Sequence, residues 1–206
     1  MITLYGFTLS NYVSMLKMAL IEKELEFDWV DVKPSQENEY LAKSPMGKVP
    51  CIETEHGFLS ETNIILEYIE ETGSGIKLMP TDPFERARVR ELMKEIELYI
   101  ELPARTAFAE AFFGGTVSDE VKETAKKNLK KGIACLKRNG KFAPYVAGSE
   151  FTYADILLKY SLGLANRCAA LVLDMDLLAE LPEAKQLMAT IGQRPSAIQI
   201  AAEHKG

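Results

Sequence analysis

The chain has 206 residues, 47% hydrophobic and 26% charged, enough to bury a core in one domain or two small ones. A net charge of −6 excludes the basic footprint of a general nucleic-acid binder, and no apolar run approaches the roughly 18 residues a bilayer span takes. Three widely spaced cysteines, Cys51, Cys135 and Cys168, form no CxxC and leave one unpaired, which argues against a disulfide scaffold, a zinc site or a dithiol redox motif.

The opening MITLYGF lacks a basic segment followed by an apolar one, so no secretory leader is expected and a soluble, cytoplasmic protein is. Met1 to Gly6 reads as a first strand. Asn11 to Lys23 follows as a helix, with Val13, Leu16 and Leu20 on one face. Glu26 to Val32 alternates and reads as a second strand. One helix separates it from the first, so the two strands are expected parallel. Gln36 to Lys43 reads as a short helix, Lys48 to Thr54 and Gly57 to Leu59 as a hairpin, and Glu61 to Glu71 as a helix. The order β-α-β-α-β-β-α is thioredoxin-like.

Periodicity is lost between Thr72 and Pro83, where GSG and MPTDP mark a linker. Beyond it the pattern is helical only. Phe84 to Phe113 reads as one long helix that Pro103 should kink, pushing Leu102 out of ideal helical geometry. Gly114-Gly115 ends it. Ser118 to Asn139 and Thr152 to Ala170 are further helices, and shorter ones are expected at Met175 to Leu181 and Glu183 to Ile191, before a closing segment from Arg194-Pro195. Phe151-Thr152-Tyr153-Ala154-Asp155-Ile156 fits an N-cap threonine with an acid three residues on, and Phe151 is placed to pack on Ile156. The expected division is a thioredoxin-like domain over 1–76, a linker over 77–83, and an all-helical domain over 84–206.

Several residues could carry chemistry. Ser10, in GFTLSNYVS, stands where the first strand gives way to the first helix, and read locally it or Asn11 is an ordinary N-cap. Tyr5 reads as a core aromatic of its strand. Val49-Pro50 lies in a short apolar run, with proline at a strand edge. Glu61-Thr62 opens an amphipathic helix, which an acid and a hydroxyl suit through the helix dipole and capping alone. Lys48 reads as a solvated lysine, Cys51 as a buried bystander. His56 and His204 are isolated and suggest no metal.

Residues 44 to 70, SPMGKVPCIETEHGFLSETNIILEYIE, combine these features: VP, a tight polar turn, then ET eleven residues after VP and an apolar helix. This stretch resembles the thiol-binding half of the glutathione transferase family, and the helical second half extends the resemblance over nearly the whole chain. It implies a bacterial-type, serine-type member with glutathione as co-substrate and no metal. Its reaction would be attack of the glutathione thiolate on a small hydrophobic electrophile, in detoxification. A homodimer is implied, with no nucleic-acid or membrane partner. The implied alternatives are a glutathione-dependent isomerase, whose serine-cysteine loop is absent here, and a non-catalytic ligand-binding or protein-interaction module of the same fold.

The resemblance also assigns roles. Ser10 donates a hydrogen bond to the sulfur; Tyr5 is the runner-up, with Thr8 and Ser14 behind. Asn11 stands where many such members have proline. Val49 pairs through its backbone with the cysteinyl residue, beside a cis Pro50. Lys48 meets the glycine carboxylate. Thr62 and its helix N-terminus take the γ-glutamyl carboxylate, and Glu61 takes the ammonium group. Phe7, Leu9, Tyr99, Arg105, Phe108 and Phe112 are candidates for the electrophile pocket, although aromatics at helical spacing more often belong to a core. A free thiol ionises near pH 8.5, and lowering that by about two units takes about 2.7 kcal/mol of thiolate preference. A hydroxyl bond to a charged acceptor supplies about 1.5–3 kcal/mol and a helix N-terminus roughly 0.3–1 kcal/mol.

Overall fold

In the computed structural model, which describes residues 1–205, four strands lie in the order β2-β1-β3-β4: β1 (Ile2–Gly6), β2 (Phe27–Asp31), β3 (Cys51–Thr54) and β4 (Gly57–Ser60). β1 and β2 are parallel, because α1 (Asn11–Glu22) carries the chain back between them. β3 runs antiparallel to β1, with Tyr5 opposite Cys51, and β4 antiparallel to β3, with Cys51 opposite Ser60. The hairpin turns at Gly57, whose φ of 118° suits a residue without a Cβ. A short α2 (Asn38–Leu41) precedes β3, and α3 (Thr62–Thr72) follows β4. Leu4 and Ile52 on the sheet, with Met15, Leu16, Ile65 and Ile69 on α1 and α3, are fully buried. Each such side chain contributes about 1.5–3 kcal/mol.

Contacts divide the chain into two units, Met79–Gly192 and Met1–Leu78 together with the segment from Gln193 onward. The closing helix, expected with the helical domain, therefore groups with the first unit. The Arg194 guanidinium grips the Glu22 carboxylate at 2.8 and 2.5 Å, and Lys17 reaches Glu203 at 2.7 Å.

The second unit begins with α4 (Pro83–Ile96), capped by Asp82, whose carboxylate accepts from the Phe84 and Glu85 amides. A π-helical turn, Glu97–Glu101, comes next, then α5 (Leu102–Arg105) and α6 (Phe108–Phe113). Leu102 is not displaced: its φ of −62° and ψ of −42° are helical. The wide π turn just before Pro103 absorbs the missing amide bond, and the helix breaks instead at Thr106–Ala107. Gly114, at φ 69°, ends α6. α7 (Asp119–Asn139) carries Ser118 as N-cap. Gly132 lies so close to the Tyr99 carbonyl that an added Cβ would stand 2.0 Å from it, which places α7 hard against the π turn.

The helix expected over Thr152 to Ala170 is α8 (Tyr153–Leu157), a second π turn (Leu158–Leu162) and α9 (Gly163–Val172). At its start the Thr152 amide and hydroxyl both donate to Asp155 Oδ2, at 2.8 and 3.1 Å, while Asp155 Oδ1 accepts from the Val146 amide at 2.8 Å. Phe151 meets the Tyr145 ring edge-on at 5.6 Å. No helix forms over Met175 to Leu181. Asn166 Oδ1 accepts from the Leu177 amide, and Asp176 Oδ1 from the Leu178 and Ala179 amides, so side chains take the donors a helix would have used. α10 (Pro182–Ile191) and α11 (Pro195–Glu203) complete the chain.

Candidate functional site

The register brings three separate segments to one end of the sheet. Tyr5, near the end of β1, pairs with Cys51 at the start of β3, and Cys51 pairs with Ser60 at the end of β4. The loop Phe7–Ser10, the dipeptide Val49-Pro50 and the dipeptide Glu61-Thr62 therefore all leave the sheet at that end.

Ser10 is the N-cap of α1, with extended backbone, and the residue is 9% exposed. Its Oγ accepts from the Val13 amide at 3.4 Å. Capping uses a lone pair, so the hydroxyl proton stays available for an acceptor beyond the helix end. Tyr5 is committed elsewhere. Its hydroxyl donates to Glu53 Oε2 at 2.5 Å, and that bond to a carboxylate, with burial, raises its pKa to about 12. Cys51 is fully buried against the Tyr40 hydroxyl, and burial pushes its thiol up, as an inert cysteine requires. Of the lesser hydroxyls, Ser14 donates back to the Ser10 carbonyl at 3.1 Å.

The β3 ladder begins at Cys51, so Val49 and Pro50 lie just outside it. The bond between them is cis. The preceding carbonyl, of Lys48, is held by the Tyr40 and Ser44 hydroxyls at 3.0 and 2.8 Å, while the Lys48 side chain is exposed. Glu61 is exposed, and its backbone lies at φ 69°, a left-handed conformation that a non-glycine residue adopts at a cost. Its side chain makes no capping bond to α3, so this acid is not spent on its own helix. Thr62, the first residue of α3, is buried.

In the second unit, Arg105 Nη2 and Nε reach Glu101 Oε1 at 2.6 and 2.8 Å, and its guanidinium lies 5.0 Å from the Phe108 ring centre. Phe108 and Phe112 meet edge to face at 5.0 Å, with the Arg167 guanidinium 5.6 Å over Phe112. These side chains form one cluster. Tyr99 sits on the π turn, half exposed. In the first unit Phe7 is partly buried and Leu9 is 70% exposed. Sequence reasoning did not single out Glu101, fully buried beside the Ser161 hydroxyl, or Glu53. An acid's partner far along the chain leaves no periodic trace. Among the described residues no helix is long and apolar enough to cross a membrane, and no cluster of three or more His, Cys, Asp or Glu is set to hold a metal ion.

Two family models match, the glutathione S-transferase N-terminal domain over residues 4–76 and the C-terminal domain over residues 104–201. The chain belongs to the glutathione S-transferase family. A glutathione S-transferase of Pseudomonas putida is 54% identical over 203 residues, spanning 98% of this chain and 92% of that protein. A maleylacetoacetate isomerase of Dictyostelium discoideum is 27% identical, spanning 80% of this chain and 79% of that protein. The crystal structure of a glutathione S-transferase from Pseudomonas fluorescens superposes with a TM-score of 0.78 at 25% identity, covering 95% of this chain and 96% of that one. Two matching domains and a relative aligned nearly end to end make this chain a glutathione transferase by enzyme class. Within that class the thioredoxin-like unit carries Ser10, Val49 and Thr62, and the helical unit carries the aromatic cluster.

Proposed function

We propose that this transferase binds glutathione at the shared end of its sheet and conjugates the thiolate to a small hydrophobic electrophile. The observation that carries the reading is the register, which gathers the Ser10 turn, Val49-Pro50 and Glu61-Thr62 at one place. Val49, outside the ladder, offers backbone groups for the cysteinyl residue as an added strand. The α3 N-terminus and the Thr62 hydroxyl suit the γ-glutamyl carboxylate, Glu61 its ammonium group, and Lys48 the glycine carboxylate. The Ser10 proton then meets the sulfur beside the α1 N-terminus, and the two together supply thiolate preference of about 2–4 kcal/mol. Ser10 remains an unmodified hydroxyl throughout. The sulfur lone pair forms the new S–C bond while the electrophile's leaving group departs with its own electron pair. Phe7, Leu9, Tyr99, Arg105, Phe108 and Phe112 are assigned to electrophile binding. A cytoplasmic homodimer acting in detoxification goes with this reading.

The test is a glutathione titration followed by calorimetry and by ultraviolet thiolate absorbance at several pH values. Saturable binding with a lowered thiol pKa supports the proposal. No binding at millimolar glutathione overturns it and favours a protein-interaction module. Binding without ionisation favours a carrier.

A further inference from the structure

The closing helix α11 runs antiparallel along α1, and four polar side-chain pairs mark its path. Arg194 and Ser196, at its start, hold Glu22 near the end of α1. Glu203, at its end, pairs with Lys17, whose ammonium group also lies 3.7 Å over the Trp29 ring. One residue further, His204 Nε2 lies 3.2 Å from Ser14 Oγ. The last turn of the chain is thus delivered to the first turn of α1.

The direction of these bonds follows from proton counting. Ser14 is buried, 1% exposed, and its hydroxyl donates to the Ser10 carbonyl. With that proton on the Ser10 carbonyl, the same oxygen accepts from His204 in the tautomer that carries its proton on Nε2. The result is a directed chain, His204 N–H to Ser14 hydroxyl to Ser10 carbonyl. The Ser10 carbonyl also accepts the Ser14 amide at 2.9 Å, so two donors hold the backbone of the one residue whose side chain faces the proposed sulfur.

We infer that His204, acting through Ser14, is a positioning residue that holds the Ser10 turn in the geometry from which its hydroxyl reaches the glutathione sulfur. The role rests on the glutathione reading for its chemical consequence, but the latch exists in the protein without ligand. A loosened turn lets Ser10 sample rotamers that miss the sulfur, while the groups proposed to grip the peptide at Val49 and Thr62 are untouched. The effect falls on thiol ionisation and not on affinity.

The experiment compares wild type with His204→Ala, His204→Gln, Ser14→Ala and the His204→Ala, Ser14→Ala double variant in two readouts. Hydrogen exchange on the ligand-free chain reports the latch: His204→Ala should speed exchange of the Val13 and Ser14 amides roughly tenfold, and His204→Gln, which keeps an N–H donor, should restore protection. Thiolate absorbance of bound glutathione reports positioning: His204→Ala and Ser14→Ala should each cut the thiolate fraction at neutral pH roughly threefold, the pair together no further than either alone, with glutathione affinity within twofold. Unchanged exchange in His204→Ala overturns the latch. Faster exchange with an unchanged thiolate fraction, or additive losses in the double variant, overturns the positioning role. If wild type protects the turn but does not bind glutathione, the latch stands and the transferase reading is what fails.

Discussion

The Ser10 hydroxyl accepts the Val13 amide hydrogen across the first turn of α1, at a long 3.4 Å. The weak cap fixes the rotamer without using the hydroxyl proton. Ser10→Ala is expected to raise the pKa of bound glutathione by about one to two units and to cut thiolate at neutral pH tenfold or more, while affinity changes little. The lost cap costs at most about 1 kcal/mol. Thiolate absorbance and denaturant midpoints check both. An unchanged thiol pKa moves the role to backbone donors.

Tyr5 is expected to be silent in that assay. Its hydroxyl already donates to Glu53, and the phenol titrates up at about 12. Because the folded pKa lies above the ordinary one, Tyr5 stays protonated through the working pH range. Tyr5→Phe should leave the thiol pKa unchanged and remove a late-titrating phenol from the alkaline absorbance curve. A raised thiol pKa in this variant would return Tyr5 to candidacy.

Glu61 holds a left-handed backbone at φ 69°. Glu61→Gly relieves a strain of about 1–2 kcal/mol, offset in part by glycine's greater chain entropy, so thermal stability should hold or rise. Glutathione affinity should fall tenfold or more as the ammonium partner is lost. Binding of a hydrophobic second ligand should be unaffected. Parallel loss of both ligands would indicate general damage to the fold.

Lys23 is buried, with its ammonium group 3.0 Å from Glu70 and 2.7 Å from the Ile76 carbonyl. Lys23→Ala leaves the Glu70 carboxylate without its cation, and the expected loss is about 3–5 kcal/mol in chemical unfolding. Replacing both, Lys23→Met with Glu70→Gln, should recover part of that loss.

Asp155 is buried while accepting three hydrogen bonds, and burial raises its pKa from 3.8 to about 6. The folded chain then holds a proton that the unfolded chain releases. This contribution is full below the ordinary aspartate pKa and is lost as pH rises through about 6. Asp155→Asn should lower stability at every pH, because one amide oxygen cannot serve all three donors, and should flatten the decline between about pH 4 and 6. Denaturant midpoints measured across that window decide it.

Local chemistry made much of this protein legible. Alternating and helical periods mark β1 to β4 and the order of the first unit, because side chains alternate across a strand and recur along a helix face. Ser118 and Thr152 are legible as caps for the same local reason. The residues around Val49-Pro50 and Glu61-Thr62 stand out singly, each with an ordinary structural explanation beside the functional one. The failures are equally physical. Pro103 does bar a regular helix, but a π turn one step earlier absorbs the missing bond and Leu102 stays helical. Met175 to Leu181 has helical spacing, yet Asn166 and Asp176 capture its amides.

Sequence alone determined the order of most strands and helices and which residue types stand at their ends, since these depend largely on neighbours within about one turn, Met175 to Leu181 being the segment where a more distant side chain prevailed. Only the tertiary structure decided that Tyr5, Cys51 and Ser60 share a line across the sheet, that the Ser161 hydroxyl meets the buried Glu101 carboxylate, and that His204 reaches Ser14 across 190 residues. Such pairings are set by strand register and helix packing, in which the partners' separation along the chain leaves no local mark.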